Sequence, residues 1–88
     1  MKVLISGHAE FEAKRRDISI KTITDIALAP QQKIKTASGR TICQSRMHDP
    51  VTNQEMLFRV IVKDTYENRT VITVYKTSKI AKYWQTEK

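Results

Sequence analysis

Met56-Leu57-Phe58-Arg59-Val60-Ile61-Val62-Lys63 is the stretch on which the fold turns. It is strongly apolar, and Arg59 is the one charge inside it, the profile of a central strand. Side chains alternate across a strand, so Met56, Phe58, Val60 and Val62 point one way and Leu57, Arg59, Ile61 and Lys63 the other. One side is wholly apolar and suited to lie under helices. The other carries the charge.

Working outward, Asp64 to Asn68 form a turn, and Arg69 to Lys76 supply a further strand rich in Val, Ile, Thr and Tyr. Upstream, the period of two holds over Lys33 to Thr36 and Arg40 to Met47, two strands around a Ser38-Gly39 turn. A polar loop, His48 to Gln54, links this hairpin to the central strand. Alternation sends Ile42, Gln44 and Arg46 to one side and Thr41, Cys43, Ser45 and Met47 to the other, so Gln44 and Arg46 can share the face of Arg59.

The amino-terminal third has helical character. Val3-Leu4-Ile5 is a brief strand or an entry segment packed under the first helix. His8 to Arg16 is rich in helix formers and is ended by Asp17. Ser19 caps a second helix to about Ala29, with Ile23, Ile26 and Ala27 as its buried stripe and Pro30 closing it, and Ile18 seals the corner between the two. At the other end Thr77 or Ser78 caps a short helix, with Ile80, Tyr83 and Trp84 on one side and Lys79 and Lys82 largely on the other. Helices followed by strands predict a single α+β domain over residues 1–88. Its layers are two N-terminal helices packed on a four-stranded, mainly antiparallel sheet, with a short C-terminal helix docked on it.

The chain of 88 residues is 40% hydrophobic and 28% charged, as folded domains are. Sixteen Lys and Arg against nine Asp and Glu leave a net charge of +7, which attracts polyanions: RNA, or an acidic protein partner. Cys43 is the single cysteine, which rules out an internal disulfide and a cysteine metal cluster and fits a reducing cytoplasm. The opening apolar run is too short for a signal peptide and nothing approaches a membrane span. Gly7 and Gly39 are isolated, so phosphate-loop, dinucleotide and nucleophile-elbow signatures are missing and no small-molecule cofactor is expected. His8 and His48 lie in different elements without ligand spacing, so no metal is expected either.

A guanidinium in the middle of a sheet needs an anion, a carboxylate or open solvent, which makes Arg59 either a site or one half of an ion pair, with Glu12 or Asp25 as partner. His8, Glu12 and Arg16 recur every four residues on one helical stripe, where Glu12 can orient His8 and Arg16 can hold Glu12 or a phosphate. Metal-free RNA cleavage needs a base, a cation for the developing phosphate charge and an acid, roles that His8, Arg59 and Tyr75 can fill, with Arg46 and Lys76 as further phosphate contacts. The plainer alternatives are an exposed Glu12–Arg16 pair, a structural ion pair for Arg59, Gln44 bridging backbone groups, and Tyr75, Tyr83 and Trp84 as packing residues. A third reading uses the last helix as an interaction module, with Lys76, Lys79 and Lys82 around an apolar patch.

Taken together, His8-Ala9, Arg16 and Ile18 resemble the H-A-x-x-R-x-x-x-R-x-I opening of a family of small bacterial domains placed among RelE/ParE-like folds. The resemblance continues through Arg40 and Gln44, Leu57-Phe58-Arg59-Val60, Val71-Ile72-Thr73-Val74-Tyr75, and the tail Tyr75-Lys76-Thr77-Ser78-Lys79-Ile80 with Lys82-Tyr83-Trp84. Glu12 departs from it, reversing a charge that is usually basic. The resemblance implies a RelE/ParE-like fold and a toxin of the toxin–antitoxin type, with RNA cleavage or binding of an acidic antitoxin-like protein as its activities.

Overall fold

The computed structural model describes residues 1–86. Its elements run β1 (Lys2–Ile5), α1 (Gly7–Arg15), α2 (Ile20–Leu28), β2 (Gln32–Lys35), β3 (Thr41–Asp49), β4 (Gln54–Asp64), β5 (Asn68–Thr77) and α3 (Ile80–Tyr83). The architecture is α+β.

Serines start both long helices. The Ser6 hydroxyl accepts from the Ala9 amide at 3.0 Å and donates to the Ile72 carbonyl at 3.1 Å, so the group that caps α1 also fastens it to β5. Ser19 caps α2 through the Thr22 amide at 3.1 Å. Between them Asp17 takes a left-handed conformation with φ of 54°, which an Asp side chain tolerates, and the Ile18 amide closes back on the Ala13 carbonyl at 2.9 Å. At the far end of α2 the Arg69 guanidinium donates to the Ala27 carbonyl at 2.7 Å, so a sheet residue satisfies a helix terminus.

The sheet has five strands in the order β1-β5-β4-β3-β2, not the four expected. Val3-Leu4-Ile5 is a true strand, pairing parallel to β5 from Lys2 opposite Asn68 to Ile5 opposite Val71, while the other neighbours are antiparallel. So short a run has no local partner to mark it, and its pairing exists only once the far end of the chain folds beside it. The expected loop from His48 to Gln54 contracts to a turn at Pro50–Asn53. There Asn53 adopts φ of 56° and its amide donates to the Asp49 carbonyl at 2.7 Å. Gly39, at φ of 82°, makes the β2–β3 turn, where a side chain would be strained.

The two faces of the sheet follow the alternation in β4. Met56, Phe58, Val60 and Val62 point to the inner face, where with Cys43, Val71 and Val74 they meet Ala9, Ala13, Ile18, Ile23, Ile26 and Ala27 of the helical layer. Val60, Val62, Val71 and Val74 are essentially without exposure, each worth about 1.5–3 kcal/mol of burial. Val3 and Ile5 pack against the same core. Leu57 and Arg59 point to the outer face, which α3 covers in part. Among the described residues no helix is long and apolar enough to cross a membrane.

Candidate functional site

On the outer face the register places Gln32, Gln44, Arg59 and Tyr75 opposite one another across β2, β3, β4 and β5. They form one hydrogen-bonded row. Gln44 Nε2 donates to Gln32 Oε1 at 2.8 Å, Arg59 Nε donates to Gln44 Oε1 at 2.9 Å, and Arg59 Nη1 donates to Tyr75 Oη at 2.5 Å. Gln44 is fully buried and Arg59 is 8% exposed. Every partner in the row is neutral, and among the described residues Arg59 meets no carboxylate. A guanidinium stays charged at any physiological pH, so among the described residues a nearly buried positive charge at the centre of the sheet is balanced by dipoles and ring faces.

Those ring faces come largely from α3. The Tyr83 ring centroid lies 4.3 Å from the Arg59 guanidinium carbon, with Tyr75 at 5.7 Å, and Trp84 stacks 5.2 Å from that of Arg46. The Tyr83 carbonyl accepts from Gln44 Nε2 at 3.2 Å. One residue beyond Trp84, the Gln85 carbonyl accepts from Gln32 Nε2 at 2.6 Å and the Gln85 amide donates to Gln32 Oε1 at 3.0 Å. The start of α3 lacks a side-chain cap of its own, although the Lys79 amide finds Thr77 Oγ1 at 3.1 Å.

Accessible cations are carried by the same strands, by the β2–β3 turn and by α3. Arg46 is half-exposed and pairs with Glu55 at 2.9 Å. Lys63, Lys79 and Lys82 are exposed, and Arg40 is exposed in the β2–β3 turn. One step along the strands, Ile34, Ile42, Ile61 and Thr73 form a second registered row, half-buried and aliphatic at its three isoleucines.

The remaining candidates do not join this site. α1 packs on the inner side, so His8 and Arg16 lie across the sheet from Arg59 and Tyr75, and the expected cleavage set of His8, Arg16, Arg59 and Tyr75 is divided between two layers. His8 is exposed. Glu12 does not orient it, nor is Glu12 an exposed partner of Arg16 alone. Its buried carboxylate takes Arg15 at 3.0 and 3.2 Å and Arg16 at 3.3 Å. The Arg15 hydrogen bonds hold the Glu12 carboxyl below its usual range in spite of burial. Arg59 pairs with neither Glu12 nor Asp25, since both belong to the helical layer and Asp25 is engaged by Lys21 at 2.8 Å.

Lys76, expected to reach phosphate, points to the inner face, where its Nζ lies 2.8 Å from Asp49 Oδ2 with side chains 10% and 2% exposed. Burial raises the Asp49 carboxyl, but Lys76, Thr52 at 2.9 Å and the Val51 amide at 3.3 Å outweigh it and leave it below the usual range. Arg69, not singled out from sequence, forks Asp64 at 2.7 and 2.8 Å, and that pairing lowers the Asp64 carboxyl. Gln32 was also missed, although a hairpin centred on Ser38 sets Gln32 opposite Gln44 and makes it legible by counting.

Among the described residues no group of three or more His, Cys, Asp or Glu is placed to hold a metal. No protein-family model, no curated protein and no solved structure matches the chain.

Proposed function

We propose that the chain is a small cytoplasmic module of RelE/ParE-like fold that binds RNA through the outer face of its sheet, in the manner of a toxin–antitoxin-type protein. A helix pair on a mainly antiparallel sheet with a short C-terminal helix supports the fold assignment. The observation that carries the function is Arg59: a guanidinium held by neutral partners at the centre of a registered row, with Arg46, Lys63, Lys79 and Lys82 around it on a chain of net charge +7. The Tyr75 ring beside Arg59 suits single-stranded nucleic acid, whose bases stack while its phosphates pair. Binding is favoured over metal-independent cleavage because a general base must reach the proton it takes, and His8 stands on the other side of the sheet.

A second reading, an acidic antitoxin-like protein on the same face, is favoured by the half-buried Ile34, Ile42 and Ile61 row beside the cations, since RNA has little use for aliphatic surface. The test is fluorescence anisotropy with a labelled single-stranded RNA of about 20 nucleotides, titrated at several salt concentrations against wild type and Arg46→Glu/Arg59→Met. Expected are a wild-type affinity that falls steeply with salt and a variant that keeps its circular dichroism spectrum but loses most binding. A folded variant that binds as wild type, or an affinity indifferent to salt, overturns the reading. Polyglutamate bound where RNA is not moves it to the acidic partner.

A further inference from the structure

We infer that α3 and the residues just after it are a lid over a concealed phosphate site, occupying with their own carbonyls the donors that an RNA phosphate would take. The inference rests on the RNA reading above and adds to it how the site is opened.

Two amide donors of the row, Gln44 Nε2 and Gln32 Nε2, point at the lid and are taken by the Tyr83 and Gln85 carbonyls at 3.2 and 2.6 Å. Between the row and the lid lies the Arg59 guanidinium, roofed by the Tyr83 ring at 4.3 Å. The lid thus presents oxygen acceptors and a π face to a cation and two amides. A phosphate offers the same acceptor chemistry with a full negative charge added, and charge-assisted hydrogen bonds are about twice as strong as neutral ones. Phosphate and lid therefore compete for the same groups.

The lid is also lightly held. α3 is a single turn of four residues, none of them buried. Among the described residues its polar fastenings are the side chains of Gln32 and Gln44 and the stacking of Arg46 and Arg59 on Trp84 and Tyr83. Water can replace each of these when the lid lifts, whereas the helical layer on the opposite face is held by the continuous apolar core. Lifting it uncovers Arg59, Gln44, Gln32 and Tyr75 together.

Trp84, the only tryptophan of the chain, sits in the lid and reports on it. With the same labelled RNA and the full chain, binding is expected to shift Trp84 emission to the red as the ring leaves Arg46 for water. Gln85→Pro removes the lid amide that donates to Gln32 Oε1 and leaves the row intact, and Tyr83→Ala removes the roof of Arg59 while leaving the strands untouched. A competent state that is only fractionally populated weakens apparent affinity by that fraction, so each variant is expected to tighten RNA binding by about three- to tenfold. RNA that binds with unchanged Trp84 emission, while neither variant tightens it, overturns the lid and leaves the RNA reading standing. RNA that binds neither wild type nor the two variants overturns the RNA reading, and the lid with it.

Discussion

Replacing Asp49 by Ala is expected to cost about 3–5 kcal/mol, because it strands the Lys76 ammonium in the interior without its partner. Lys76 and Asp49 are 10% and 2% exposed in their side chains and their charged atoms are 2.8 Å apart, so solvent screens them little. Asp49 has two further donors, Thr52 Oγ1 and the Val51 amide, whose turn joins β3 to β4, and both lose their acceptor as well. The reverse change, Lys76→Met, leaves those two donors to steady the carboxylate and should cost less, about 2–3 kcal/mol. Removing both charges together should recover a large part of the loss, since no buried ion then remains. Chains of this size have a total stability of roughly 4–13 kcal/mol, so Asp49→Ala threatens folding itself. Urea melts followed by circular dichroism should show the midpoint falling by about 2–3 M. A shift smaller than about 0.5 M, or a double-mutant cycle with no coupling between the two positions, would refute the reasoning.

Acid unfolding should follow the same groups. The Asp49 and Asp64 carboxyls are lowered in the folded state, so their stabilisation is complete above the unfolded value of about 3.9 and drains away as pH falls through the lower folded values. Asp64→Asn should therefore flatten stability against pH below about 4, and an unchanged slope in an acid titration would count against it. Arg69→Met removes the donor to the Ala27 carbonyl and the fork on Asp64, for an expected loss of about 1.5–3 kcal/mol with faster amide exchange in the last turn of α2. Ser6→Ala should cost about 1 kcal/mol in thermal melts, through the lost cap of α1. His8→Ala should leave RNA affinity unchanged in the anisotropy assay; a marked drop would return His8 to the site.

The period-two pattern of Met56 to Lys63 was enough to place Arg59 on the face away from the helices, and the same counting put Gln44 and Arg46 beside it. These follow from local geometry: successive side chains of a strand must point to opposite sides, whatever surrounds them. The Ser19 cap, the positions of both long helices and the hairpin around Gly39 were legible for the same reason, as each depends on residues a few positions apart.

Pairings between distant segments escaped such reading. Val3-Leu4-Ile5 became a fifth strand only because β5 returns beside it. Lys76 looks like a surface cation until the turn after β3 brings Asp49 to it. Glu12 had Arg15 and Arg16 equally within reach, and side-chain geometry divided it between them. Arg59 shows the division most plainly: strand alternation alone chose its face, but its neutral row and its roof of Tyr83 come from three other strands and from the end of the chain. Alternation acts along one segment, whereas the partner of a charge depends on which segments close around it.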